Sequence, residues 1–206
     1  MQESKQKRQY RQSLHERIIE VAMDSFVKNG IKAVRMDDIA KALMISKRTL
    51  YEVYETKELL LYECIKYHHE QKALLLNQYM AEKHNVIEII VFLYRMRSET
   101  YGKMNPLFYE DIVKYPMAWQ YLESRKKQSH ENFFTFMQQG VNEGFFRNDV
   151  NYELISHLFE AIGAYLFGEH LYIKYTHEEM CRNMVFVTLR GFCTEKGVKV
   201  LDALLG

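Results

Sequence analysis

The stretch that decides the fold runs from Met36 to Leu60 and reads MDDIAKALMISKRTLYEVYETKELL. Its apolar residues recur at helical spacing in two short runs, which indicates two short helices joined by a tight turn. Such a pair is typical of a helix-turn-helix unit, which binds DNA. The residues expected to face inward are Ile39, Ala40 and Leu43 of the first helix and Ile45, Leu50 and Val53 of the second.

The start of the second helix carries the residues that indicate DNA binding. Ser46 is suited to cap this helix, because its hydroxyl oxygen can accept a hydrogen bond from an unpaired backbone N–H group. Lys47, Arg48 and Thr49 follow in the first turn. Cations near a helix N-terminus oppose the helix dipole, so helix stability does not explain them. A DNA phosphate or base edge does, since this part of a helix-turn-helix enters the major groove.

Residues 17–61 resemble the DNA-binding domain of the tetracycline-repressor (TetR) family of bacterial transcriptional regulators. The family pattern consists of a helix, a Gly, a D-I-A helix, S-K-x-T-L-Y, an aromatic residue and K-E-x-L. Outside this segment the resemblance extends only to size, helical character and the closing Arg190-Gly191 turn. The matching elements are Ile18 to Phe26, Gly30, Asp38-Ile39-Ala40, Ser46 to Tyr51, Tyr54 and Lys57 to Leu60.

The resemblance implies a DNA-binding surface on and around the second helix. Tyr51 can pack its ring beside Leu50 while its hydroxyl reaches a phosphate, and a purely structural tyrosine is the alternative. Lys57 opposes the dipole of the next helix, which favours a phosphate ligand over a solvated lysine. The predicted DNA-binding residues are Arg35, Met36, Ser46, Lys47, Arg48, Thr49, Tyr51, Tyr54 and Lys57.

Three residues depart from the family pattern. Met44 stands where the turn usually has Gly, and a non-Gly residue in the left-handed conformation costs about 1 kcal/mol. Arg35 stands where Ser or Thr usually caps the first helix, so that hydrogen bond is lost or supplied by another group. Tyr54 replaces the usual Phe and adds a hydroxyl that needs a partner if it is buried. These changes concern the local turn geometry, not the function.

Composition indicates a mostly helical intracellular protein. The chain has 206 residues, enough for one small domain and one full core, and only 2 Pro and 9 Gly interrupt it. The sequence contains no apolar run of membrane-spanning length and no signal peptide, so we expect a cytoplasmic protein. The 3 cysteines lack metal-ligand or redox spacing, and we expect them to be reduced and mostly buried.

Charge is unevenly distributed along the chain. The net charge of +1 alone would argue against nucleic-acid binding, but residues 1–58 carry 12 Lys and Arg against 9 Asp and Glu, whereas residues 59–206 carry 16 against 18. The basic excess therefore lies in the predicted DNA-binding region. It includes a polar segment that resembles a flexible basic arm, which either contacts DNA or is a solvated tail without a role. The cations of this arm are Lys5, Lys7, Arg8 and Arg11.

Two longer helices are expected to flank the helix-turn-helix. Ser13 and Glu16 form a capping box for a helix whose apolar face runs from Leu14 to Phe26 and ends at Gly30. Thr56 can cap a long helix that leads into a second domain. We expect the first of these helices to brace the helix-turn-helix.

The helices after residue 85 are rich in aromatic and methionine residues, which could line an adaptable ligand cavity. For any single one of them, ordinary core packing is the alternative. Pro106 and Pro116 break the helical pattern around a short segment, and in the resembling family ligands enter near such broken helices. Arg95 and Arg97 could anchor an anionic ligand, with a solvated helix face as the alternative. The predicted ligand-binding residues are Phe92, Met96, Tyr101, Met104, Phe108, Trp119, Phe133 and Met137.

No pattern supports catalysis or metal binding. The adjacent His68 and His69 point to different sides of a helix, so they cannot bind one metal ion as an i, i+4 pair would. The sequence has no Gly-rich phosphate loop, no nucleophile elbow and no carboxylate pair with an evident acid–base role. We therefore predict no catalytic residue, no metal and no cofactor.

The last third of the chain predicts a dimer interface. The helix expected over residues 152–173 has an apolar stripe too wide for burial on one side, so it needs a second partner. A further helix over residues 177–192, doubled by a two-fold axis, would complete a four-helix interface as in the resembling family. The predicted interface residues are Leu158, Phe159, Ile162, Leu166, Met184, Val187 and Thr188.

These patterns predict an all-α chain. We expect an N-terminal three-helix DNA-binding domain over residues 1–58, and a helical ligand-binding and dimerisation domain over residues 59–206. The resemblance implies a homodimeric repressor that binds a palindromic double-stranded DNA operator and is released by a small apolar or amphipathic effector. Two alternatives stay open: a protein of this fold that has no inducer and acts through protein partners, and an enzyme regulated by its N-terminal domain. The enzyme would need a cavity with paired titratable groups of shifted pKa.

Overall fold

The computed structural model describes residues 2–102 and 104–206, without the side chains of residues 2–9 and 101. These residues are predominantly α-helical, which confirms the predicted fold class. None of the helices described is long and apolar enough to cross a bilayer. The helices are α1 (Gln2–Asn29), α2 (Met36–Ala42), α3 (Lys47–Val53), α4 (Lys57–Ala81), α5 (Val86–Tyr101), α6 (Pro106–Ile112), α7 (Pro116–Asn142), α8 (Tyr152–Gly168), α9 (Leu171–Lys174), α10 (His177–Met180), α11 (Phe186–Phe192) and α12 (Glu195–Leu205).

The chain divides into two compact units. Unit 1 comprises Met1–Gln71 and Lys103–Ser124, and unit 2 comprises Lys72–Gly102 and Arg125–Gly206. Helices α4 and α7 therefore contribute residues to both units. The sequence instead predicted two continuous domains with a boundary after residue 58. The assignment of DNA binding to the first and effector binding to the second stays a prediction.

The core of unit 1 forms around the helix-turn-helix of α2 and α3. The residues predicted to face inward pack there: Ile39, Ala40, Leu43 and Leu50 are buried, and Ile45 and Val53 are partly buried. Helix α1 braces them with the apolar face predicted for it, since Leu14, Ile18, Ala22 and Phe26 are all buried. The predicted packing of the helix-turn-helix is therefore confirmed.

Helix α1 begins earlier than its sequence predicted. The expected capping box is wrong, because Ser13 lies inside a helix that already begins at Gln2, and Glu16 instead accepts a hydrogen bond from the Gln12 amide at 3.4 Å. Neither Pro nor Gly occurs before the end of α1, and its polar residues are good helix formers. The backbone of the expected flexible arm is accordingly helical, while the side chains of Lys5, Lys7 and Arg8 lie outside the described residues.

Helix α6 is part of unit 1, although it lies far along the chain. The backbone N–H of Asn105 donates to the carbonyl of Val27 at 2.8 Å, and the buried Asp111 carboxylate accepts the backbone N–H of Lys32 at 2.7 Å. Gly30 has a φ of +81°, and a Cβ atom there would lie 2.8 Å from the Cβ atom of Leu107. The end of α1 and the loop that follows it are thus fastened to α6.

Unit 2 has a core of its own. Helix α8 ends at Gly168, earlier than the predicted residue 173, and His170 after it has a left-handed backbone with a φ of 51°. The helix predicted over residues 177–192 consists of α10, a π-helical turn at Cys181–Val185, and α11. Buried residues of this core are Val86, Ile87, Val91, Met137, Phe145, Phe146, Phe186, Leu189, Phe192, Cys193 and Leu201.

The turn between α2 and α3 accommodates Met44 in the left-handed conformation that the resemblance implied, with a φ of 56°. Its N–H donates to the carbonyl of Lys41 at 3.0 Å, and the N–H of Ile45 donates to the carbonyl of Ala40 at 3.0 Å. These two bonds form a Schellman motif, which satisfies the last carbonyls of α2. The Met44 side chain is 90% exposed, so it contributes little packing. The hydrogen bonds of this motif require a left-handed backbone at residue 44, but they place no requirement on its side chain.

We predict that Met44→Gly leaves unit 1 as stable or makes it more stable by up to about 1 kcal/mol, because relief of left-handed strain offsets the extra freedom of the unfolded chain. Thermal and urea unfolding would measure the change. The matched control is Ala42→Gly at an exposed helical position of α2, which should destabilise the protein by about 0.5 to 1 kcal/mol. A clear loss of stability in Met44→Gly would contradict the assigned turn.

Candidate DNA-binding surface

Helix α3 is oriented by its two ends and one buried side chain. The Ser46 hydroxyl accepts the backbone N–H of Thr49 at 3.0 Å, which confirms Ser46 as the N-cap. The backbone N–H of Tyr54 donates to the carbonyl of Leu50 at 2.9 Å and closes the helix. Leu50 is fully buried. The opposite face of α3, which carries Arg48, consequently points to solvent.

The cations in the first turn of α3 each have a carboxylate partner. The Nζ atom of Lys47 lies 2.8 Å from Asp37 at the start of α2, and the Nε atom of Arg48 lies 2.8 Å from Glu52, one turn further along α3. Hydrogen bonding to these carboxylates raises the pKa of Lys47 and of Arg48. The sequence predicted no ion pair for either cation, and these two contacts correct that interpretation. All four side chains are exposed, so each pair is weak enough for a DNA phosphate to replace the carboxylate.

Three other predicted DNA-binding residues also lie at the surface. The Tyr51 side chain is exposed, and its ring centroid is 5.9 Å from the Nζ atom of Lys47. Thr49 is partly buried, and its hydroxyl lies 2.7 Å from the Ser46 hydroxyl. Arg35 is exposed at the N-cap of α2, where its own N–H donates to the Asp38 carboxylate at 2.9 Å. The N–H of Asp38, which a Ser or Thr hydroxyl would accept at the cap, donates instead to the backbone carbonyl of Arg35 at 3.0 Å.

Two residues of the predicted set belong to the core. Met36 and Tyr54 are only 5% and 4% exposed, so neither side chain is accessible to DNA in this structure, and both assignments are corrected. The Tyr54 hydroxyl has the partner that burial requires, because it lies 3.2 Å from the Nδ1 atom of His15. Burial raises the pKa of Tyr54 to about 12, which keeps the phenol neutral. Tyr54 therefore ties the end of α3 to α1.

Lys57 makes contacts inside unit 1. Its Nζ atom lies 3.4 Å from the carbonyl oxygen of Lys32, and it is 5.9 Å and 5.8 Å from the ring centroids of Phe26 and Tyr115. Burial lowers the pKa of Lys57. These contacts leave the Lys57 side chain partly exposed, so its phosphate contact stays a prediction. Thr56, by contrast, caps α4 as predicted, since its hydroxyl accepts the N–H of Leu59 at 3.1 Å.

Sequence reasoning missed the two carboxylates of this surface. Glu52 could have been found from its spacing, because a Glu four residues after an Arg on a helix commonly pairs with it. Asp37 had no such signal, since its contact with Lys47 depends on how α2 and α3 cross. Both carboxylates lie next to the cations that are predicted to contact DNA.

The structure does not gather the predicted ligand-binding residues in one unit. Phe108 and Met137 are buried, Phe108 in the core of unit 1 and Met137 in that of unit 2, so both follow the core alternative. Phe92 stacks on Tyr79 with ring centroids 4.1 Å apart. The side chain of Tyr101 lies outside the described residues. Of the others, Met104 and Trp119 pack against the core of unit 1, Phe133 packs against the core of unit 2, and Met96 is partly buried in unit 2.

The predicted dimer residues differ in their exposure. Val187 of α11 is 59% exposed, and Leu158 of α8 is exposed as well. Phe159 turns inward, with its ring 6.3 Å from that of Phe192 in the core of unit 2. The Thr188 hydroxyl is used within its own segment, where it donates to the carbonyl of Met184 at 2.8 Å. The remaining residues, Ile162, Leu166 and Met184, are partly buried.

Comparisons with known proteins agree with this architecture. Residues 18–64 match the model of the bacterial regulatory proteins of the tetR family. The HTH-type transcriptional repressor KstR2 of Mycobacterium tuberculosis is 23% identical over 144 residues, which cover 67% of this chain and 72% of that protein. The solved structure of KstR2, a ketosteroid transcriptional regulator, superposes with a TM-score of 0.58 at 19% identity, over 88% of this chain and 95% of that one. A transcriptional regulator from Saccharomonospora viridis in complex with choline gives a TM-score of 0.73 at 16% identity, over 89% and 100% of the two chains.

We predict that Glu52→Gln strengthens binding to random double-stranded DNA by roughly three-fold, because it frees Arg48 and removes a charge that repels phosphates. Fluorescence anisotropy at constant ionic strength would measure the affinity. Glu70→Gln, an exposed glutamate of α4 in unit 1, is the control for net charge and should change affinity less. Equal or weaker binding by Glu52→Gln would show that the Arg48–Glu52 pair does not compete with DNA.

Proposed function

Since the chain belongs to the tetR family of bacterial regulatory proteins, we propose that it represses transcription as a homodimer on a palindromic operator. A small apolar or amphipathic effector releases it from the DNA. The observation that carries the proposal is helix α3, which is anchored by Leu50 and capped by Ser46 while Lys47, Arg48 and Tyr51 remain exposed. Such a regulator acts in the cytoplasm, where its operator is.

Within the recognition helix α3, the exposed residues divide into two roles. Lys47 and Tyr51 are suited to phosphates, because an ammonium group and a phenol hydroxyl donate to phosphate oxygens without regard to sequence. Arg48 and Thr49 lie in the first turn, which reaches base edges when a recognition helix enters the major groove. Arg48 can donate two hydrogen bonds to the O6 and N7 atoms of a guanine.

Release by an effector requires that the ligand favour a conformation with a different spacing of the two recognition helices. Two recognition helices that bind one face of B-DNA must lie about 34 Å apart, or a near multiple of that distance. A ligand that binds better to another spacing shifts the population away from DNA, and DNA weakens ligand binding by the same factor. In unit 1, α6 is the segment that fits this coupling, since Asn105 and Asp111 fasten it to the end of α1 and the loop after it.

Dimerisation is proposed through the exposed apolar face of α8 and α11. Leu154 is 65% exposed and lies one turn from Leu158, with Tyr165 further along the same side of α8. Val187 is exposed on α11, and a Cβ atom at Gly191, one turn away, would meet nothing within 4 Å. Such a face, left open in the single chain, is suited to an isologous contact with a second copy.

The recognition helix is tested by variants in its two classes. Lys47→Ala and Tyr51→Phe should weaken binding to operator and random DNA alike, whereas Arg48→Ala and Thr49→Ala should also relax preference at a particular base pair. Affinities would be measured on both DNAs over a range of salt, where the magnitude of the log–log slope should fall by about 0.9 for each phosphate contact of a Lys or Arg that is removed, as in Lys47→Ala. Equal losses on both DNAs for all four variants would disprove that Arg48 and Thr49 contact bases.

The dimer is tested by Leu158→Asp. We expect the dimer dissociation constant to rise by about 100-fold or more, because an unpaired carboxylate in an apolar interface costs several kcal/mol. Sedimentation velocity would measure the oligomeric state. The control is Leu75→Asp, the same change at an exposed leucine of α4, which should leave the dimer intact. A stable dimer of Leu158→Asp would place the interface elsewhere.

A further inference from the structure

Unit 2 contains a group of basic and hydroxyl side chains contributed by three helices. Lys72 comes from α4, Arg97 and its neighbours Ser98 and Thr100 come from α5, and His177 begins α10. We refer to these five residues as the basic cluster. None of them is needed for the proposed DNA contacts.

Hydrogen bonds hold the basic cluster together. The ammonium group of Lys72 donates to the Thr100 hydroxyl at 2.8 Å, and the Ser98 hydroxyl lies 2.9 Å from the Nδ1 atom of His177. Arg97 adjoins both pairs in sequence on α5, and its charge acts on both Lys72 and His177. Burial, followed by the charge of Arg97, lowers the pKa of Lys72 and of His177.

Lys72 and Arg97 have no carboxylate partner among the described residues. Three of the six arginines of unit 2 form ion pairs: Arg147 lies 2.7 Å from Asp149, Arg182 lies 3.0 Å from Glu178, and Arg190 lies 2.6 Å from Asp202. Within the same described part of the chain, neither Lys72 nor Arg97 takes part in an ion pair.

The neighbouring groups do not supply a negative charge either. The Sγ atom of Cys181 lies 3.6 Å from the Nε2 atom of His177, and burial raises the pKa of this thiol to about 11. The thiol is therefore neutral near pH 7. Two basic side chains that repel each other, one of them half-buried, are the arrangement that an anion stabilises by lying against both.

A partly exposed tyrosine ring adjoins the cluster. The ring of Tyr94 is roughly parallel to that of His177, with centroids 6.2 Å apart, and it meets the edge of the buried Phe186 at 4.8 Å. Tyr94 precedes Arg97 by one helical turn, so both side chains lie on one side of α5. A ligand with an anionic group at Arg97 could thus place an apolar part against Tyr94.

We propose that Lys72 and Arg97, with the hydroxyl of Ser98, bind the carboxylate, sulfonate or phosphate group of an amphipathic anion. The proposal rests on the proposed function in so far as it names the chemistry of the effector. It also decides between the two roles that the sequence leaves open for Arg97. Arg95 is not part of this cluster, and its guanidinium donates to the carbonyl of Leu204 at 2.6 Å.

A matched pair of fluorescent probes tests the charge requirement. The first probe is 8-anilino-1-naphthalenesulfonate (ANS), an aromatic sulfonate, and the second is N-phenyl-1-naphthylamine, the same ring system without the sulfonate. We expect the full-length protein with Lys72→Gln and Arg97→Gln to bind ANS about ten-fold more weakly while its affinity for the neutral probe stays within about two-fold. Arg97→Lys should recover part of the ANS affinity. The control is Lys199→Gln, an exposed lysine of the same unit, which should bind both probes like the wild type.

The outcomes separate the anion site from the proposed function. Unchanged ANS affinity in the double variant, equal loss of both probes, or no ANS binding by the wild type would overturn the anion site, whatever the protein does on DNA. ANS binding that depends on Arg97 and weakens operator binding would support both proposals. ANS binding that depends on Arg97 without any effect on operator affinity would support the anion site and contradict release by this class of effector.

Discussion

The burial of Leu50 is the constraint on which the DNA-binding surface depends. Helix α3 has only 7 residues, far fewer than the about 12 to 15 that an isolated helix needs to be even marginally stable in water. Its direction is therefore set by the core of unit 1, in which Leu50 is fully buried, and by the Ser46 and Tyr54 contacts at its ends. Because Leu50 fixes which side of α3 faces the core, Lys47, Arg48 and Tyr51 are left exposed.

Contacts between helices also connect distant parts of the chain to the recognition helix. Helix α1 packs against α2, and α6 is fastened to the end of α1 by backbone and carboxylate hydrogen bonds. A displacement of α6 would consequently shift the loop that leads into the helix-turn-helix. In the proposed function, an effector alters the spacing of the two recognition helices in this way.

Local features of the sequence predicted local features of the structure. The left-handed turn at Met44, the Ser46 cap and the inward face of α2 and α3 all depend on residues fewer than eight positions apart. The missed features depend on tertiary contacts: Asp111 meets Lys32 across 79 positions, and the basic cluster joins Lys72 to α5 and α10. The errors at Met36 and Tyr54 arose because the family pattern marks a position without stating whether its side chain faces the core or the DNA.

The measurement that tests the central claim most directly is selection of DNA by the purified protein from a random-sequence library. The proposed homodimer predicts an enriched palindrome whose half-sites are centred about 34 Å apart, or a near multiple of that distance. Arg48→Ala should select the same spacing with a relaxed preference at one symmetric base pair in each half-site. Enrichment of an asymmetric single site, or of no sequence at all, would contradict operator recognition by paired α3 helices.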